Sequence, residues 1–208
     1  MAYVLGFIIA DGTVIHTKRD THFLSIQITD LTLLQEIQKV LGSNHAIHVR
    51  EREGNEQTIY RLQIGSKALC ADLARLGVIP REAHITRMPS VPDAYLGDFV
   101  RGYFDGDGNV WIGLVHKERQ TNHLVIQTAF TSCSLAFLES LKSALEQKDI
   151  TGSLACRGSY FRLSYSVRSS LALYDLLYTR PSPLQLPRKR LVFERFMRGR
   201  ERAANMRV

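Results

Sequence analysis

Hydrophobic and polar positions follow two different periods along the chain, and the order of these periods repeats. Residues 23–29 (FLSIQIT) and 123–129 (HLVIQTA) alternate with a period of two, which is typical of strands buried on one face. Each is followed by a stretch with apolar residues at i, i+3 and i+4. Asp30 and Ser134 precede these stretches and are residue types that commonly cap helices. The pattern therefore predicts a strand followed by a helix in both halves.

The repeat extends over nearly the whole chain. VLGFIIADGTV at 4–14 matches VRGYFDGDGNV at 100–110. The further corresponding pairs are 58–64 with 160–166, 66–76 with 169–178, and 79–87 with 186–195. The predicted order is helix, two strands, helix, two strands, helix, occurring twice. This order indicates an α+β fold with half-domains at 1–87 and 98–208, joined by a proline-containing linker at 88–97.

Composition indicates a class of partner and a compartment. The 208 residues include 27 Lys and Arg against 20 Asp and Glu, a net charge of +7, which favours a polyanion such as nucleic acid. Many basic proteins bind no DNA, so the charge alone decides little.

Three cysteines without zinc-ligand spacing argue against a disulfide framework and a structural zinc. With no long apolar run, the sequence predicts a soluble intracellular protein outside the membrane, in the cytoplasm or an organelle matrix.

The two repeated motifs carry the candidate chemistry. Each has small residues four positions apart, which allows two helices to approach closely. The pairs are Gly6 with Ala10 and Gly102 with Gly106. Each motif then ends in Asp-Gly, and we expect the glycine to stop the helix in a left-handed conformation that fixes Asp11 or Asp107 at the helix end. One Asp-Gly pair is a common helix stop, but recurrence of the whole motif before an alternating strand favours a functional interpretation.

Side-by-side packing of the two helices would bring Asp11 and Asp107 together. Two carboxylates about 6 Å apart repel by about 3 kcal/mol at an effective dielectric constant of about 20, and a divalent cation removes that repulsion. Mg²⁺ favours a few carboxylates, with water and phosphate completing its coordination. The pair therefore predicts metal-assisted phosphodiester hydrolysis. Lys189, in PRKR, is the candidate cation that offsets charge building on the phosphate.

VLGFIIADG and VRGYFDGDG resemble the two LAGLIDADG motifs of single-chain homing endonucleases, and the order of elements agrees over nearly all of the chain. The resemblance implies two αββαββα half-domains whose antiparallel sheets form a DNA-binding saddle. It implies metal-dependent, site-specific double-strand breaks in a long duplex target, leaving short 3′ overhangs. It also implies metal ligation by Asp11 and Asp107, assisted by the backbone carbonyls of Ala10 and Gly106.

The resemblance extends to cofactors and partners. The metal would be Mg²⁺ or Mn²⁺, and Ca²⁺ would bind without supporting cleavage. The partner would be double-stranded DNA, with no small-molecule cofactor, and the gene would belong to an intron or intein context. Because the chain holds both motifs, the motif count predicts a working monomer.

The sequence departs from the family pattern at two positions. Ile9 stands where the pattern has its first Asp, which Asp105 matches in the second motif; that position is structural in the family. Glu82, after Arg81, stands where the second half has Lys189. We therefore expect one active site to be weaker, with asymmetric nicking or a dependence on Arg81.

Alternating strands direct one set of side chains to the helices and the other set outward. The outward set is polar; Arg suits guanine edges and Gln suits adenine edges in the major groove, although for a single residue solvation is as common an explanation. Gln27 and Gln127 occupy matching places in the repeat. The predicted DNA-contacting residues are Ser25, Gln27, Thr29, His48, Arg50, Arg52, Arg61 and Gln63 in the first half, and His123, Gln127, Arg157, Arg162, Ser164 and Ser166 in the second.

Other classes of function stay open at this point. A non-cleaving nucleic-acid-binding protein on the same scaffold, such as an intron maturase or a regulator, would be favoured by loss of either motif Asp, and both are present. Glu82 leaves room for a nickase. A small-molecule hydrolase is disfavoured by the repeat, the basic charge and the absence of a glycine-rich phosphate loop.

Overall fold

The structure is a computed structural model that describes residues 1–51, 56–78, 87–115 and 123–205. The chain divides into two compact units, Met1–Asp107 with Ser182–Gln185 and Gly108–Pro181 with Leu186–Val208. This division follows packing, whereas the division predicted at 88–97 follows the sequence repeat. The predicted linker begins with irregular backbone at 88–92.

The first unit contains a four-stranded antiparallel sheet. Its elements are α1 (Ala2–Asp11), β1 (Gly12–His16), β2 (His22–Ile28), α2 (Leu31–Val40), β3 (Ile47–Arg50), β4 (Ile59–Gly65), α3 (Lys67–Arg75), a 3₁₀ helix (Asp93–Tyr95) and α4 (Leu96–Asp107). The strand order is β1-β2-β4-β3. The two hairpins therefore meet along β2 and β4 in the middle of the sheet.

The second unit repeats this arrangement. Its elements are β5 (Gly108–Val115), β6 (His123–Ser132), α5 (Leu135–Glu146), β7 (Ser153–Cys156), β8 (Phe161–Tyr165), α6 (Val167–Tyr178) and α7 (Pro187–Asn205). The strand order β5-β6-β8-β7 is the same as in the first sheet. The predicted α+β class with two antiparallel sheets is confirmed. The last helix predicted for the first half, at 79–87, falls almost entirely outside the described residues.

Short polar side chains fix where three helices begin. Asp30 Oδ1 accepts a hydrogen bond from the Leu33 amide at 2.9 Å at the start of α2. Ser134 Oγ accepts one from the Phe137 amide at 3.2 Å at the start of α5, and Ser66 caps α3 in the same way. A cap of this kind stabilises a helix by about 1 kcal/mol. The helix starts predicted at Asp30 and Ser134 are confirmed.

The alternating residues of each sheet form its core on the side of the helices. Leu24, Ile26 and Leu62 in the first sheet have no exposed surface, and the same holds for Ile126 and Phe130 in the second. Burying an aliphatic or aromatic side chain of this size contributes about 1.5–3 kcal/mol. Because a shift of one residue would turn these side chains outward, the alternation fixes the strand register.

Glycines allow the backbones of α1 and α4 to touch. A Cβ atom on Gly6 would lie 2.1 Å from the carbonyl oxygen of Phe99, and a Cβ on Gly102 would lie 2.0 Å from the carbonyl oxygen of Tyr3. Both contacted atoms belong to the backbone, so they cannot rotate away as a side chain would. Close packing of these two helices, predicted from the small residues four apart, therefore requires glycine at both places.

We predict that Gly102→Ala lowers the free energy of unfolding by about 3 kcal/mol, at the upper end of overpacking effects, because the helices must separate. Gly199 provides the matched control, since it lies in α7 with nothing within 4 Å of an added Cβ. Gly199→Ala should raise stability by up to about 1 kcal/mol through helix propensity. Thermal or urea unfolding of both variants measures this, and equal stability of the two would contradict the packing argument.

The hydroxyl of Tyr165 is buried. The side chain has no exposed surface, and among the described residues its hydroxyl oxygen has no hydrogen-bond partner. Burial raises the pKa of the Tyr165 phenol well above its usual value, and the negative charge of Glu146 adds to the shift. The folded protein therefore keeps this proton to a higher pH than the unfolded chain does.

This shift predicts a loss of stability at alkaline pH. As pH rises through about 10, the unfolded chain releases the Tyr165 proton while the folded protein retains it, so the free energy of unfolding falls. Tyr165→Phe lacks this proton, and the difference in stability between the two proteins should grow in favour of the variant above about pH 10. Urea unfolding at a series of pH values tests it; other titrating groups cancel because both proteins contain them. Parallel curves would contradict the prediction.

Candidate functional site

The ends of α1 and α4 bring the two motif carboxylates to one place. Asp11 is the last residue of α1 and Asp107 the last of α4. A Cβ on Gly106 would lie 2.3 Å from the Cβ of Ala10 and 3.4 Å from Oδ2 of Asp11. The Asp11 carboxylate therefore lies beside the last turn of α4, one residue before Asp107.

Gly12 does not adopt the left-handed conformation predicted for the residue after the motif Asp. Its backbone is extended, with φ −79° and ψ 153°, and α1 continues directly into β1. A Cβ on Gly12 would lie 2.6 Å from the carbonyl oxygen of Ile8. Glycine is needed here because the strand turns back closely over the preceding helical turn, so the expectation of a left-handed stop was wrong.

The donor set fits a hard divalent cation. Asp11 is exposed and Asp107 is half-buried, so both carboxylates lie where solvent and a substrate phosphate can reach them. The residues that the structure describes contain no cluster of three or more His, Cys, Asp or Glu, so these residues supply a partial shell. Mg²⁺ and Mn²⁺ accept such a shell, since Mg²⁺ keeps several water molecules and binds substrate phosphate. The carbonyls of Ala10 and Gly106 belong to the same two helical turns.

Lys189 lies in the first turn of α7, in the second unit. Its Nζ donates a hydrogen bond to the carbonyl oxygen of Gly108 at 2.7 Å. Gly108 is the first residue of β5 and follows Asp107 in the chain. The predicted catalytic cation is thus attached to the start of the strand that the second motif leads into. Arg81 and Glu82, the predicted counterparts in the first half, lie outside the described residues.

A buried polar network holds α4 from within, and the sequence interpretation missed most of it. Asp105 is 3% exposed, and its Oδ2 accepts a hydrogen bond from the Tyr3 hydroxyl at 2.7 Å. Arg101 is 2% exposed, pairs with Asp98 at 2.6 Å and donates to the carbonyl oxygen of Leu184 at 3.0 Å. The spacing of Asp98 and Arg101 by three residues was the available signal, because such pairs meet on a helix.

The outward face of the first sheet carries two rows of predicted DNA-contacting residues. Gln27, Arg61 and His48 lie opposite one another across β2, β4 and β3, and all three are exposed. Ser25 and Gln63 form the next row; Ser25 is only 5% exposed and Gln63 is half-buried. The exposed row is therefore the more accessible of the two.

The remaining predicted residues of this half lie at strand ends. Arg50 ends β3 and Thr29 follows β2, and both are exposed. Arg52 lies outside the described residues.

The outward face of the second sheet holds three of its predicted residues. Gln127 lies opposite Trp111, Arg162 lies opposite Thr131, and Ser164 follows two residues later on β8. The side chains of Gln127, Arg162 and Ser164 are all half-buried. His123 is the first residue of β6, and its side chain lies outside the described ones.

Arg157 and Ser166 lie beyond the strand ends. Arg157 is exposed in the turn between β7 and β8, where its amide donates to the carbonyl oxygen of Tyr160 at 2.7 Å. Ser166 is exposed at the start of α6 and makes no side-chain cap hydrogen bond. The structure thus separates these two from the rows in the middle of the sheet.

Gln27 and Gln127 do not occupy matching places, contrary to the sequence comparison. Aligning the sheets at the strand starts, where Gly12 pairs with Ile26 and Gly108 pairs with Phe130, makes Thr131 the counterpart of Gln27. The reason is the longer second hairpin, since β5 has eight residues and β1 has five. Arg61 and Arg162 do correspond, since they pair with Gln27 and Thr131 respectively.

Both outward faces are compatible with a polyanion. The eight strands that the structure describes contain neither Asp nor Glu. Three Arg residues, Arg50, Arg61 and Arg162, lie within the strands. A sheet surface with cationic and neutral polar groups and no carboxylates avoids repulsion from phosphates.

Residues 1–79 match the model of a protein family described as a LAGLIDADG-like domain. Over these residues the chain is similar to that domain. The resemblance inferred from the two motifs is thereby confirmed, and α1, which ends at Asp11, lies within the matched residues.

The fold as a whole is similar to that of LAGLIDADG homing endonucleases of known structure. Mesophilic variants of the homing endonuclease I-DmoI match with a TM-score of 0.60 and 16% identity, over 87% of this chain and 96% of that chain. I-SmaMI bound to cleaved DNA matches with a TM-score of 0.58 and 16% identity, over 86% and 82%. I-WcaI bound to its DNA recognition sequence matches with a TM-score of 0.59 and 15% identity, over 91% of this chain and 83% of that chain. At these identities the likeness shows the fold.

No curated protein gave a significant match to the chain. Among the described residues, no helix combines the length and the apolar character needed to cross a membrane.

We predict that Tyr3→Phe destabilises the protein by about 1–3 kcal/mol, because it removes the hydrogen bond to the buried Asp105 carboxylate. Tyr165→Phe is the matched control at neutral pH, since it also removes one buried hydroxyl but breaks no hydrogen bond among the described residues. That control should be as stable as the original protein or more stable. Urea unfolding at pH 7 compares them, and an equal effect of both substitutions would refute a supporting role for the Tyr3–Asp105 bond.

Proposed function

We propose that the protein is a site-specific, metal-dependent DNA endonuclease that cuts both strands of a long duplex target and leaves short 3′ overhangs. The observation that carries the proposal is the position of the Asp11 carboxylate beside Gly106, one residue before Asp107, at the adjoining ends of α1 and α4. Two repeated motifs thereby contribute one carboxylate each to a single small region.

The solved structures with this fold support the same class of function. I-SmaMI has been solved bound to cleaved DNA, and I-WcaI bound to its DNA recognition sequence. I-DmoI has been solved with DNA and Mn, and I-SmaMI with an uncleaved DNA target in the presence of calcium ions. We therefore expect Mg²⁺ or Mn²⁺ to support cleavage by this protein, and Ca²⁺ to support binding without cleavage.

In the proposed mechanism the chain positions a phosphodiester and its attacking water. Asp11 and Asp107, with the carbonyls of Ala10 and Gly106, would hold the metal, which would lower the pKa of water and offset charge on the departing oxygen. Lys189 would stabilise the negative charge that builds on the phosphate.

The buried Tyr3–Asp105 hydrogen bond contributes by positioning. It fixes the α4 turn two residues before Asp107. This role needs no contact with DNA. It also explains why Asp105, although it belongs to the motif, is not proposed as a metal ligand.

The outward sheet faces would bind the DNA in this proposal. Exposed Gln27, Arg61 and His48 offer both donors and acceptors to base edges in a major groove. Phosphate contacts by the basic residues would supply a large salt-dependent part of the affinity. We propose a monomeric working unit, since one chain supplies both motifs. We also propose that the protein acts inside the cell and that its gene has an intron-related context.

The test is cleavage of a randomised duplex library in Mg²⁺ by the original protein, Asp11→Asn and Asp107→Asn. Each substitution keeps the side-chain shape and removes the charge that holds a metal. We expect each to reduce cleavage by a factor on the order of 100 or more while binding in Ca²⁺ persists. Asp149→Asn is the control, because Asp149 is exposed in a turn with φ 59°, a conformation that Asn tolerates.

The outcomes of this experiment separate the candidate functions. Sequence-selective double-strand breaks, lost in both motif variants and kept in Asp149→Asn, support the endonuclease. Salt-sensitive binding without cleavage would overturn it in favour of a non-cleaving DNA-binding protein. Cleavage of one strand only would identify a nickase.

A further inference from the structure

Trp111 and Gln127 form a fixed pair on the second sheet. They lie directly opposite each other on β5 and β6. The indole Nε1–H of Trp111 donates a hydrogen bond to Oε1 of Gln127 at 3.0 Å. An indole N–H only donates, so its partner on the amide must be the oxygen. The orientation of the Gln127 amide is therefore settled, with its NH₂ group on the branch away from Trp111.

The indole ring itself is held against the strand. A Cβ on Gly113 would lie 2.0 Å from Cζ3 and 2.8 Å from Cε3 of Trp111, so the six-membered ring occupies the space above this glycine. The side chain is still 38% exposed. The absence of a side chain at Gly113 thus leaves room for the indole ring to pack against the strand, while the rest of the Trp111 surface stays accessible.

The pair lies on the face of the sheet turned away from the helices. Thr128, next to Gln127 on β6, hydrogen-bonds through its hydroxyl to Ser170 of α6 at 2.7 Å, and both are buried. Adjacent residues of a strand point to opposite faces. Gln127 and its partner Trp111 therefore face outward, on the surface proposed above to meet DNA.

We propose that Trp111 converts Gln127 from a reader of adenine into a donor that selects acceptor edges. A free glutamine favours adenine because its oxygen accepts from N6 while its nitrogen donates to N7. In this protein the indole N–H already binds one lone pair of the oxygen, and the NH₂ group is the branch turned away from Trp111 toward a base. The matching partners in the major groove are guanine, through N7 and O6, and thymine, through O4. Adenine keeps one acceptor, N7, but its N6 donor loses the partner that a free glutamine provides, and cytosine offers only a donor.

The adjoining indole surface adds an apolar contact that suits the thymine methyl group. This inference rests on the proposed function, since it requires that the second sheet bind DNA. It also assigns to Trp111 a specificity-determining role that its residue type does not indicate.

The experiment selects a randomised duplex library by binding in Ca²⁺ and compares base frequencies at every position. The proteins are the original, Trp111→Phe, which keeps an aromatic ring but loses the N–H, and Gln127→Met, which keeps the length but loses the amide. Gln63→Met is the control, a glutamine on the outward face of the other sheet. Thermal unfolding confirms that all are folded.

We expect Gln127→Met to flatten the preference at one position of the target. At that position the original protein should favour guanine or thymine over cytosine by about tenfold, and Trp111→Phe should shift the preference toward adenine. Gln63→Met should leave that position unchanged. A preference of the original protein for adenine there, or no change on Trp111→Phe, would overturn the proposal, as would a Gln127→Met profile identical to the original.

Fluorescence gives an independent result, because Trp111 is the one tryptophan in the chain. DNA binding should change its emission and protect it from quenching by iodide. If the protein binds DNA by gel shift and this fluorescence stays constant, the inference fails while the proposed function stands. If no duplex binds at all, both fail.

Discussion

The contact between the backbones of α1 and α4 is the constraint on which the rest of the site depends. At Gly6 and Gly102 no Cβ can be accommodated, because carbonyl oxygens of the opposite helix occupy the space. This contact fixes the two helices over their whole length and so fixes what stands at their ends. Asp11 comes to lie beside Gly106 as a direct consequence. The carboxylate pair is thus a product of helix packing and needs no dedicated loop.

The second motif holds another carboxylate, Asp105, in different surroundings. Asp105 is buried and hydrogen-bonded to Tyr3, whereas Asp107, two residues later, is half-buried at the helix end. Burial and a donor suit the first to a structural role. Access to solvent suits the second to binding a cation with its water. Two acids of one motif are therefore distinguished by their surroundings alone.

Much of this arrangement could be predicted from the sequence, because periodicity and short motifs act locally. The alternation of apolar and polar residues predicted β2, β4, β6 and β8, and the capping residues Asp30 and Ser134 predicted two helix starts. The paired motifs indicated the helix contact. These signals depend on neighbours within a few residues, which a sequence displays directly.

Properties that depend on strand register or on distant contacts could not be obtained in the same way. The extended backbone at Gly12 follows from its approach to Ile8, and the mismatch of Gln27 with Gln127 follows from the length of a hairpin. The hydrogen bond between Trp111 and Gln127 also requires register. Contacts and strand pairing in three dimensions decide these properties.

The first hairpin of the second sheet is longer than that of the first sheet, and this difference has a consequence for how such a protein can diverge. β1 and β5 both begin at the glycine after the motif Asp and differ in length only toward their other ends. Residues can therefore be gained or lost at the far end of a hairpin without displacing the carboxylate at its base. The same helix pair can remain unchanged while the surface that extends from it is rebuilt, so that chemistry and recognition evolve separately.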